Sequence, residues 1–371
     1  MPVAVRRTAI ELSDGRELIY FDNITAPIRT GVDGRELEQG STAQGSMRFD
    51  PLSGEWIAVA GHRQTRIFLP SASDCPICPS REGWLSEIPE SQYDVVVFEN
   101  RFPSFLMDSA WQPTDGFPEI GTEIPAHGRC EVVAFTDNHV GSIASLSAQQ
   151  MSLVMSAWID RTLELSQCDG IRYVFVFENR GAEIGVTLHH PHGQIYAYPY
   201  LPSTMSHQLR MGAQFFGAHG KQLLESLLEF ELNAGDRIIY QDEYWVALVP
   251  FAARWPYEIQ IHPKAHRQSL TELTDDEQDA FCVNYPRLIR ALDSIFEMPL
   301  PYMSGWHQIP AQASNEEQRD SRLFLRLISN RRAADKLKFL AGSESLMGSF
   351  INDVTAEQSA QQIREAFEAT A

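Results

Sequence analysis

The segment FENRGAEIGVTLHHPHGQIYAYPYLP, Phe177–Pro202, contains three histidines within four positions. The apolar stretches on both sides, IGVTL and IYAYPY, are typical of strands, so a surface polyhistidine loop explains the cluster poorly. Side chains alternate along a strand, so His190 and His192 share one face. Pro191 stiffens the backbone between them, and Gly193 lets a ligand approach the main chain closely. The segment therefore predicts a functional strand that carries rigid histidines.

A rigid histidine can ligate a metal, accept a proton or act as a nucleophile. The chain also contains Cys75-Pro-Ile-Cys78 and a histidine, His139, in the turn after a predicted strand. Two thiolates and two imidazoles suit tetrahedral zinc. The predicted zinc ligands are Cys75, Cys78, His139 and His190. A redox role for the Cys-x-x-Cys pair is the alternative, but it lacks a thioredoxin-like setting, and Pro79 favours a metal knuckle.

Charge and composition limit the possible partners. The chain has 371 residues, 43% of them hydrophobic, with 30 Lys and Arg against 49 Asp and Glu, a net charge of −19. A chain this acidic repels nucleic acid, and an anionic substrate would need a local cluster of basic residues. No apolar run is long enough for a membrane span, and the N-terminus does not resemble a signal peptide. Five cysteines, an odd count, together with the Cys-x-x-Cys pair favour a reducing, cytoplasmic location.

A strand, a turn with a histidine and a helix occur twice in the sequence. Glu131–Ser147 aligns with Glu258–Thr274 at a constant offset of 127 positions. A capping-box pattern begins the helix in both copies, as Ser147-Ala-Gln-Gln150 in the first and Thr274-Asp-Asp-Glu277 in the second. A chance alignment of two common patterns is the alternative, which the matched caps disfavour. The chain is therefore predicted to contain two α+β repeats, each a mostly antiparallel sheet with packed helices.

The N-terminal part of the chain differs from the rest in its composition and in its pattern of apolar residues. Residues 1–46 are predicted to form an arm and linker, and the small, polar stretch EQGSTAQGS at their end marks the linker. The two repeats are predicted to occupy residues 47–201 and 202–371. Within the arm, Asp-Gly-Arg-Glu-Leu occurs twice, at Asp14–Leu18 and Asp33–Leu37, either as a turn signal beside short strands or by coincidence.

In combination, these motifs resemble those of the galactose-1-phosphate uridylyltransferase family, a two-repeat member of the histidine-triad-like (HIT-like) superfamily. HPHGQ follows FENRGAEIG, and CPIC and DPLSGEW lie upstream of both. The resemblance runs from about Arg48 to Asp353. It implies that His192 is the catalytic nucleophile, that Gln194 contacts the transferred phosphoryl group, and that the four predicted ligands hold a structural zinc. His189 departs from the family's usual SNPHPHGQ and is assigned no catalytic role.

The same resemblance implies substrate-binding residues in several segments. Arg63 and Arg66 follow DPLSGEW, and two guanidinium forks in one place suit the phosphates of a nucleotide. Phe98–Phe102 resembles the segment that holds uridine and ribose, and within it Asn100, Arg101 and Phe102 are the implied nucleoside contacts. The resemblance also implies Asn179 and Thr187 as phosphate contacts, and Lys338, Phe339 and Glu344 as sugar contacts.

The reaction that the resemblance implies is ping-pong transfer of uridylyl from UDP-glucose to galactose 1-phosphate through a uridylyl-His192 intermediate, in a homodimer. Hydrolases of the superfamily typically have a third histidine where this chain has Gln194, which favours group transfer over hydrolysis. A nucleoside-diphosphate-sugar phosphorylase and a UTP-dependent hexose-1-phosphate uridylyltransferase remain enzymatic alternatives. A zinc-stabilised nucleotide-binding module without catalytic activity is the alternative from a different class.

Some members of the family bind iron through a glutamate and three histidines. In this chain Trp306-His307 matches one of those histidines, but Gln208 lies near the glutamate position. The later histidines are replaced within Arg322–Leu327, where leucine and arginine are expected at their places. One histidine does not hold a metal, so no iron site is predicted.

Overall fold

The structure, a computed structural model, describes residues 4–38, 45–65, 70–107 and 120–370. The strands are β1 (Val5–Glu11), β2 (Glu17–Asn23), β3 (Ser46–Asp50), β4 (Glu55–Val59), β5 (Val95–Glu99), β6 (Glu123–Pro125), β7 (Arg129–Ala134), β8 (Tyr173–Arg180), β9 (His192–Tyr198), β10 (Ile238–Gln241), β11 (Trp245–Leu248), β12 (Tyr257–Pro263), β13 (Tyr302–His307), β14 (Phe324–Ser329), β15 (Arg331–Ala333) and β16 (Lys336–Leu337). The α-helices are α1 (Ala148–Ser166), α2 (Ser203–His219), α3 (Leu223–Ala234), α4 (Asp275–Ile295), α5 (Asn315–Asp320), α6 (Gly342–Met347) and α7 (Ala356–Ala369).

One large sheet contains most of the strands, in the order β1-β2-β5-β7-β9-β8-β13-β14-β12-β11-β10. Every neighbouring pair in it is antiparallel. The two halves of the chain join where β8 meets β13, with Tyr302 opposite Arg180 and Gly305 opposite Phe177. The predicted α+β class with mostly antiparallel sheets is confirmed, and the two halves share one continuous sheet.

The helices α1 and α4 pack on one face of this sheet and enclose the main hydrophobic core. Trp158 of α1 and Trp245 of β11 both meet Trp306 of β13 edge to face, with ring centroids 6.3 and 6.2 Å apart. Burial of each large apolar side chain contributes about 2–3 kcal/mol. Since the helices cover this face, the opposite face of the N-terminal half is left for a cleft.

The two repeats agree in their helices but not in their strand register. The starts of α1 and α4 differ by the predicted 127 positions. Glu131 faces α1, where its carboxylate accepts hydrogen bonds from Arg161 at 2.9 and 3.0 Å. Its predicted counterpart Glu258 faces the other side of the sheet and binds Arg326. The ungapped alignment is therefore wrong within the strands, because a shift of one residue reverses the face of every side chain.

Both predicted helix starts are capped, in different ways. At α4 the Thr274 hydroxyl accepts from the Glu277 amide at 3.3 Å, and the Glu277 carboxylate accepts from the Thr274 amide at 2.8 Å, which confirms that capping box. At α1 the Ser147 hydroxyl accepts from the Gln150 amide at 3.1 Å. The Gln150 side chain instead donates to two carbonyl oxygens next to β5 and β7, so the predicted reciprocal bond is wrong. Gln150 thereby ties α1 to the sheet.

The N-terminal segment is built into the large sheet. The strands β1 and β2 form an antiparallel hairpin, and β2 pairs with β5. Residues 5–23 of the predicted arm are thus the edge of the sheet, whereas residues 39–44, in the predicted linker, lie outside the described residues. Among the helices of the described chain, none combines the length and the apolar character that crossing a membrane requires.

Candidate active site and metal centre

Strand β9 places the two predicted catalytic side chains on the open face of the sheet. His192 and Gln194 flank the buried Gly193, and both line a cleft of about 560 Å³. A Cβ atom on Gly193 would lie 2.8 Å from the Phe135 ring and 2.9 Å from the carbonyl oxygen of Phe177. Only glycine fits at this position, so the HPHGQ motif needs it to seat β9 between β7 and β8.

The main chain orients the His192 imidazole. Its Nδ1 atom lies 2.8 Å from the carbonyl oxygen of His190. Because a carbonyl oxygen only accepts hydrogen bonds, we assign the proton to Nδ1, and Nε2 keeps its lone pair. Burial lowers the pKa of His192, which favours the neutral ring. The cleft therefore contains a neutral imidazole with a nucleophilic nitrogen.

One tyrosine holds both Gln194 and Arg63. The Tyr196 hydroxyl donates to Oε1 of Gln194 at 3.2 Å, so the amide NH₂ group of Gln194 stays available as a donor. Nη1 of Arg63 lies 3.4 Å from the Tyr196 hydroxyl and also donates to Oγ of Ser104. No carboxylate in the described part of the chain pairs with Arg63, so its charge is available to an anion. Sequence reasoning missed Tyr196, although strand alternation after Gln194 could have indicated it.

The cleft collects most of the predicted substrate-binding residues from several elements. In addition to His192 and Gln194, its lining contains Arg63, Asn100, Arg101, Phe102, Asn179 and Thr187. Arg66 lies outside the described residues. The exposed His189 is not part of the lining. The lining also contains residues that were not predicted, because no motif or spacing connects them with the site; among them are Arg35, Trp84, Ser86 and Glu87.

The C-terminal residues that were predicted to contact the sugar do not line this cleft in the same chain. Nζ of Lys338 donates to Oε1 of Glu344 at 2.6 Å, and both side chains are buried. Phe339, between them in sequence, is 72% exposed. The ion pair therefore ties the end of β16 to α6 and presents the phenyl ring to solvent.

The four predicted metal ligands converge beside the cleft. Their ligand atoms, two sulfurs and two ring nitrogens, all lie within 4.8 Å of one another. Nδ1 of His190 is 3.4 Å from Sγ of Cys78 and 3.9 Å from Sγ of Cys75. Nδ1 of His139 is 3.3 Å from Sγ of Cys78. Atoms of these types at these separations can share one tetrahedrally coordinated ion.

The surroundings of the cluster fit a cation that binds thiolates. Burial and the neighbouring Cys75 thiol raise the pKa of Cys78 to about 12. The Cys78 thiol therefore loses its proton near neutral pH only when a bound cation stabilises the thiolate. Burial lowers the pKa of His190 to about 4, so its imidazole is neutral near pH 7. A histidine must be neutral to bind a metal ion. Nε2 of His190 lies 2.7 Å from the carbonyl oxygen of Thr136 and 3.1 Å from the Tyr93 hydroxyl. These contacts direct Nδ1 to the sulfurs.

The corresponding face of the C-terminal half contains an aromatic stack. The Phe324 ring lies between the rings of His262 and His307, with centroid separations of 5.0 and 4.4 Å. Nδ1 of His307 is 3.2 Å from Oε1 of Gln208. Leucine and arginine were expected in place of the family's later histidines, but strand alternation turns Phe324, together with Arg326, to the face of His307. Within the described ranges, the cluster around Cys75 is the one group with metal-binding spacing.

Comparison with known sequences identifies the family. Residues 36–202 match the galactose-1-phosphate uridyl transferase N-terminal domain, and residues 208–370 match its C-terminal domain. The chain is 44% identical to the galactose-1-phosphate uridylyltransferase of Streptomyces lividans over 310 residues, which cover 82% of this chain and 81% of that protein. It is 38% identical to the protein of the same name from Thermotoga maritima over 323 residues, 86% of this chain and 98% of that one.

Solved structures agree with this assignment. A structure described as that of a uridylyltransferase has a TM-score of 0.77 and 30% sequence identity, over 87% of this chain and 99% of that chain. An ADP-glucose phosphorylase from Arabidopsis thaliana with bound ADP-glucose has a TM-score of 0.67 and 24% identity, over 86% and 98%, and shows the shared fold alone. The chain therefore belongs to the galactose-1-phosphate uridylyltransferase family, as its motifs predicted.

Proposed function

We propose that this enzyme transfers uridylyl from UDP-glucose to galactose 1-phosphate through a covalent uridylyl-His192 intermediate. The observation that carries the proposal is the 2.8 Å hydrogen bond from Nδ1 of His192 to the His190 carbonyl oxygen, which leaves Nε2 as the nucleophile of the cleft. Membership of the family supports a nucleotide sugar and a sugar phosphate as the substrates.

Two displacements at the same phosphorus complete the cycle. In the first, Nε2 of His192 attacks the α-phosphorus of UDP-glucose, a P–N bond forms, and glucose 1-phosphate leaves with the electron pair of the broken P–O bond. In the second, a phosphate oxygen of galactose 1-phosphate attacks, the P–N bond breaks, and UDP-galactose forms. The imidazole is a good leaving group because the ring of the intermediate is cationic.

Donors around His192 would stabilise the charge on the phosphoryl oxygens. The NH₂ group of Gln194 and the guanidinium of Arg63 are aligned by their common contact with Tyr196. Asn179 and Thr187 come from β8 and the loop after it. Donors that are already in place cost no reorganisation during the reaction. We propose Arg66 as a further phosphate contact and Asn100, Arg101 and Phe102 as the nucleoside contacts.

We propose that one structural zinc ion is held by Cys75, Cys78, His139 and His190. His190 would bind the ion through Nδ1, and the carbonyl oxygen of the same residue accepts the hydrogen bond from His192. Metal binding would therefore stiffen the main chain that orients the nucleophile. The ion supplies rigidity, and no step of the transfer runs through it.

The proposed functional unit is a homodimer in which the partner completes the sugar site. Lys338, Phe339 and Glu344 do not line the cleft of their own chain. Leu346 and Met347 of α6 are 77% and 78% exposed and Phe339 is 72% exposed, and large apolar side chains of this kind would suit burial against a second copy. None of the five cysteines forms a disulfide, which supports the proposed cytoplasmic location.

An adduct experiment tests the central step. The enzyme is incubated with UDP-glucose labelled in its uridine, without an acceptor, and is then separated from free nucleotide. We expect an adduct that is labile in acid and stable in base, and peptide mass spectrometry should locate it on His192. The matched variant His189→Gly should still form it. Substantial turnover by His192→Ala, or an adduct on His189 or His190, would contradict the proposal.

Two further reactions separate the proposed function from its alternatives. His192→Gly should regain the second half-reaction when a preformed uridylyl-imidazolide fills the space of the missing ring, because the imidazolide brings its own leaving group. The isolated wild-type adduct should pass its uridylyl group to galactose 1-phosphate. Preferential transfer to inorganic phosphate would instead identify a phosphorylase.

A further inference from the structure

The two copies of Asp-Gly-Arg-Glu-Leu meet at one side chain in the folded chain. Arg16, from the first copy, donates through Nη2 to Oε2 of Glu87 at 2.5 Å. Arg35, from the second copy, pairs through Nη1 with Oε1 of Glu87 at 2.9 Å. Asp14 accepts from Nε of Arg16 at 2.8 Å, and Asp33 accepts two bonds from Arg35, both at 2.8 Å. Each copy thus supplies an Asp–Arg pair, and Glu87 is held from both sides.

The two copies are also tied to each other and to the sheet. Oδ2 of Asp33 accepts hydrogen bonds from the amide and the hydroxyl of Ser13 at 3.0 and 3.1 Å. Nη1 of Arg16 donates to the carbonyl oxygen of Glu99, at the end of β5. The side chains of Arg16 and Glu87 are only 9% and 8% exposed. The pair of Arg35 with Asp33 is bidentate, and each arginine bridges its aspartate to Glu87, so these buried charge-assisted contacts make the cluster a rigid unit.

Glu87 lies at the end of the cleft where the nucleoside contacts are proposed. It shares the lining with Asn100 and Arg101, and Nη1 of Arg101 is 3.7 Å from Oε1 of Glu87. The strand β5, which leads to Asn100, is two strands away from β9, a lateral distance of about 10 Å. A nucleotide whose α-phosphorus lies at His192 therefore extends its nucleoside toward Glu87. In the described lining, Asp74 is the other carboxylate.

We propose that Glu87 accepts hydrogen bonds from the ribose hydroxyls of the bound nucleotide, and that Arg16 and Arg35 are positioning residues for its carboxylate. A carboxylate has about four acceptor sites, and the two arginines occupy two of them, which leaves acceptors for a vicinal diol. Acidic side chains bind nucleotide ribose in this way in dinucleotide-binding folds. The inference rests on the proposed function and adds a ribose contact to it.

This contact depends on a part of the chain outside the matched family domains. The match to the N-terminal domain begins at residue 36, so Arg16 and Arg35 both precede it. Arg16 stands directly before β2, which the hairpin with β1 and the pairing with β5 hold in place. The N-terminal hairpin would therefore contribute to nucleotide binding as well as lengthen the sheet.

Discrimination between ribose and deoxyribose tests the proposal. The ratio of kcat/KM is measured for UDP-glucose against its 2′-deoxy and 3′-deoxy analogues. We expect the wild-type enzyme to prefer UDP-glucose by roughly ten- to hundred-fold, since one hydrogen bond to a charged acceptor is lost with each analogue. In Glu87→Gln this preference should fall toward unity, mainly through KM for UDP-glucose. Asp74→Asn, which changes the other carboxylate, should keep the wild-type ratio.

The arginine variants separate positioning from stability. Arg16→Gln and Arg35→Gln should each lose part of the preference, and Arg16→Lys and Arg35→Lys should retain more of it. A purely structural role would lower activity equally with all three nucleotides. An unchanged ratio in Glu87→Gln, or in both arginine-to-glutamine variants if Glu87→Gln does not fold, would overturn the inference. Failure of the wild-type enzyme to transfer uridylyl would overturn the proposed function instead.

Discussion

Nε2 of His190 donates to the carbonyl oxygen of Thr136 across 2.7 Å, and this contact decides which ring nitrogen faces the cysteines. Nδ1 is left 3.4 Å from Sγ of Cys78. The carbonyl oxygen of His190 in turn orients His192. One residue therefore joins the candidate metal centre to the candidate nucleophile, and loss of the metal should affect both folding and catalysis.

Cys75→Ser should lower zinc content and thermal stability together, because the free energy of metal binding contributes directly to folding. Elemental analysis and the melting temperature measure the two effects. Cys168→Ser, which changes a partly exposed thiol outside the cluster, is the matched control and should keep the wild-type metal content. A chain that loses its metal and melts at an unchanged temperature would show that the ion has no structural role.

Gln194→Glu should lower kcat by about 10²–10³, because it replaces a hydrogen-bond donor to the phosphoryl oxygens with a negative charge. Steady-state kinetics with UDP-glucose and galactose 1-phosphate measure the loss. Tyr196→Phe removes the hydroxyl that donates to Oε1 of Gln194, and we expect a smaller decrease, about tenfold. Wild-type kcat in Gln194→Glu would exclude a contact between Gln194 and the transferred group.

Glu178 should make the chain less stable as the pH rises. It lies opposite Gly193 in the sheet, and burial raises the pKa of its carboxyl to about 7 from the usual 4.5. The Tyr302 hydroxyl donates to it at 2.8 Å, and Arg180 and Asp293 lie nearby with opposing effects. Between these two values the folded chain keeps a proton that the unfolded chain has lost, so this contribution to stability falls as the pH rises.

Glu178→Gln removes the free-energy cost of ionising a buried carboxyl, and its amide oxygen can still accept the hydrogen bond from the Tyr302 hydroxyl. We expect the variant to exceed the wild type in free energy of unfolding by up to about 3 kcal/mol at pH 8, and to match it near pH 4.5. Urea denaturation at several pH values measures the difference. A difference that stays constant with pH would show that Glu178 does not titrate as its burial implies.

The C-terminal half should not bind iron. His307 has Gln208 and Phe324 as its neighbours, and neither an amide nor a phenyl ring suits iron as a carboxylate or imidazole does. Elemental analysis of the purified enzyme should therefore find zinc and no stoichiometric iron. Iron that is present in the wild type and lost in His307→Ala would contradict this prediction.

Mixed dimers should be more active than the His192→Gly parent, and should contain sites with wild-type turnover that neither parent has. His192→Gly has no nucleophile, and Phe339→Ala should weaken a sugar site in the partner. A heterodimer of the two would contain one intact site, so random reassociation should restore roughly one quarter of wild-type activity. Activity is measured after the two variants are mixed, unfolded and refolded together. No recovery, with dimers present, would show that each cleft is complete within its own chain.

The sequence predicted correctly how functional residues are arranged where they lie close together in the chain. His192 and Gln194 share one strand, where alternation alone places them on the same face. The spacing of Cys75 and Cys78 indicates a metal knuckle without knowledge of the rest of the chain. The reciprocal cap of Gln150 was predicted wrongly, because its amide finds two carbonyl oxygens beside the sheet that local spacing does not reveal.

The amino-acid sequence by itself determined the chemical groups of the site: a rigid strand that carries histidines, and two cysteines at a spacing typical of metal ligands. It also indicated two α+β repeats and the family to which the chain belongs. Tertiary structure alone decided which face each strand presents, so that Glu131 and Glu258 point to opposite sides of the sheet. It also brought Arg16 and Arg35 to Glu87 across the chain. Local spacing specifies periodicity within one element, whereas register and distant ion pairs form only when elements pack against each other.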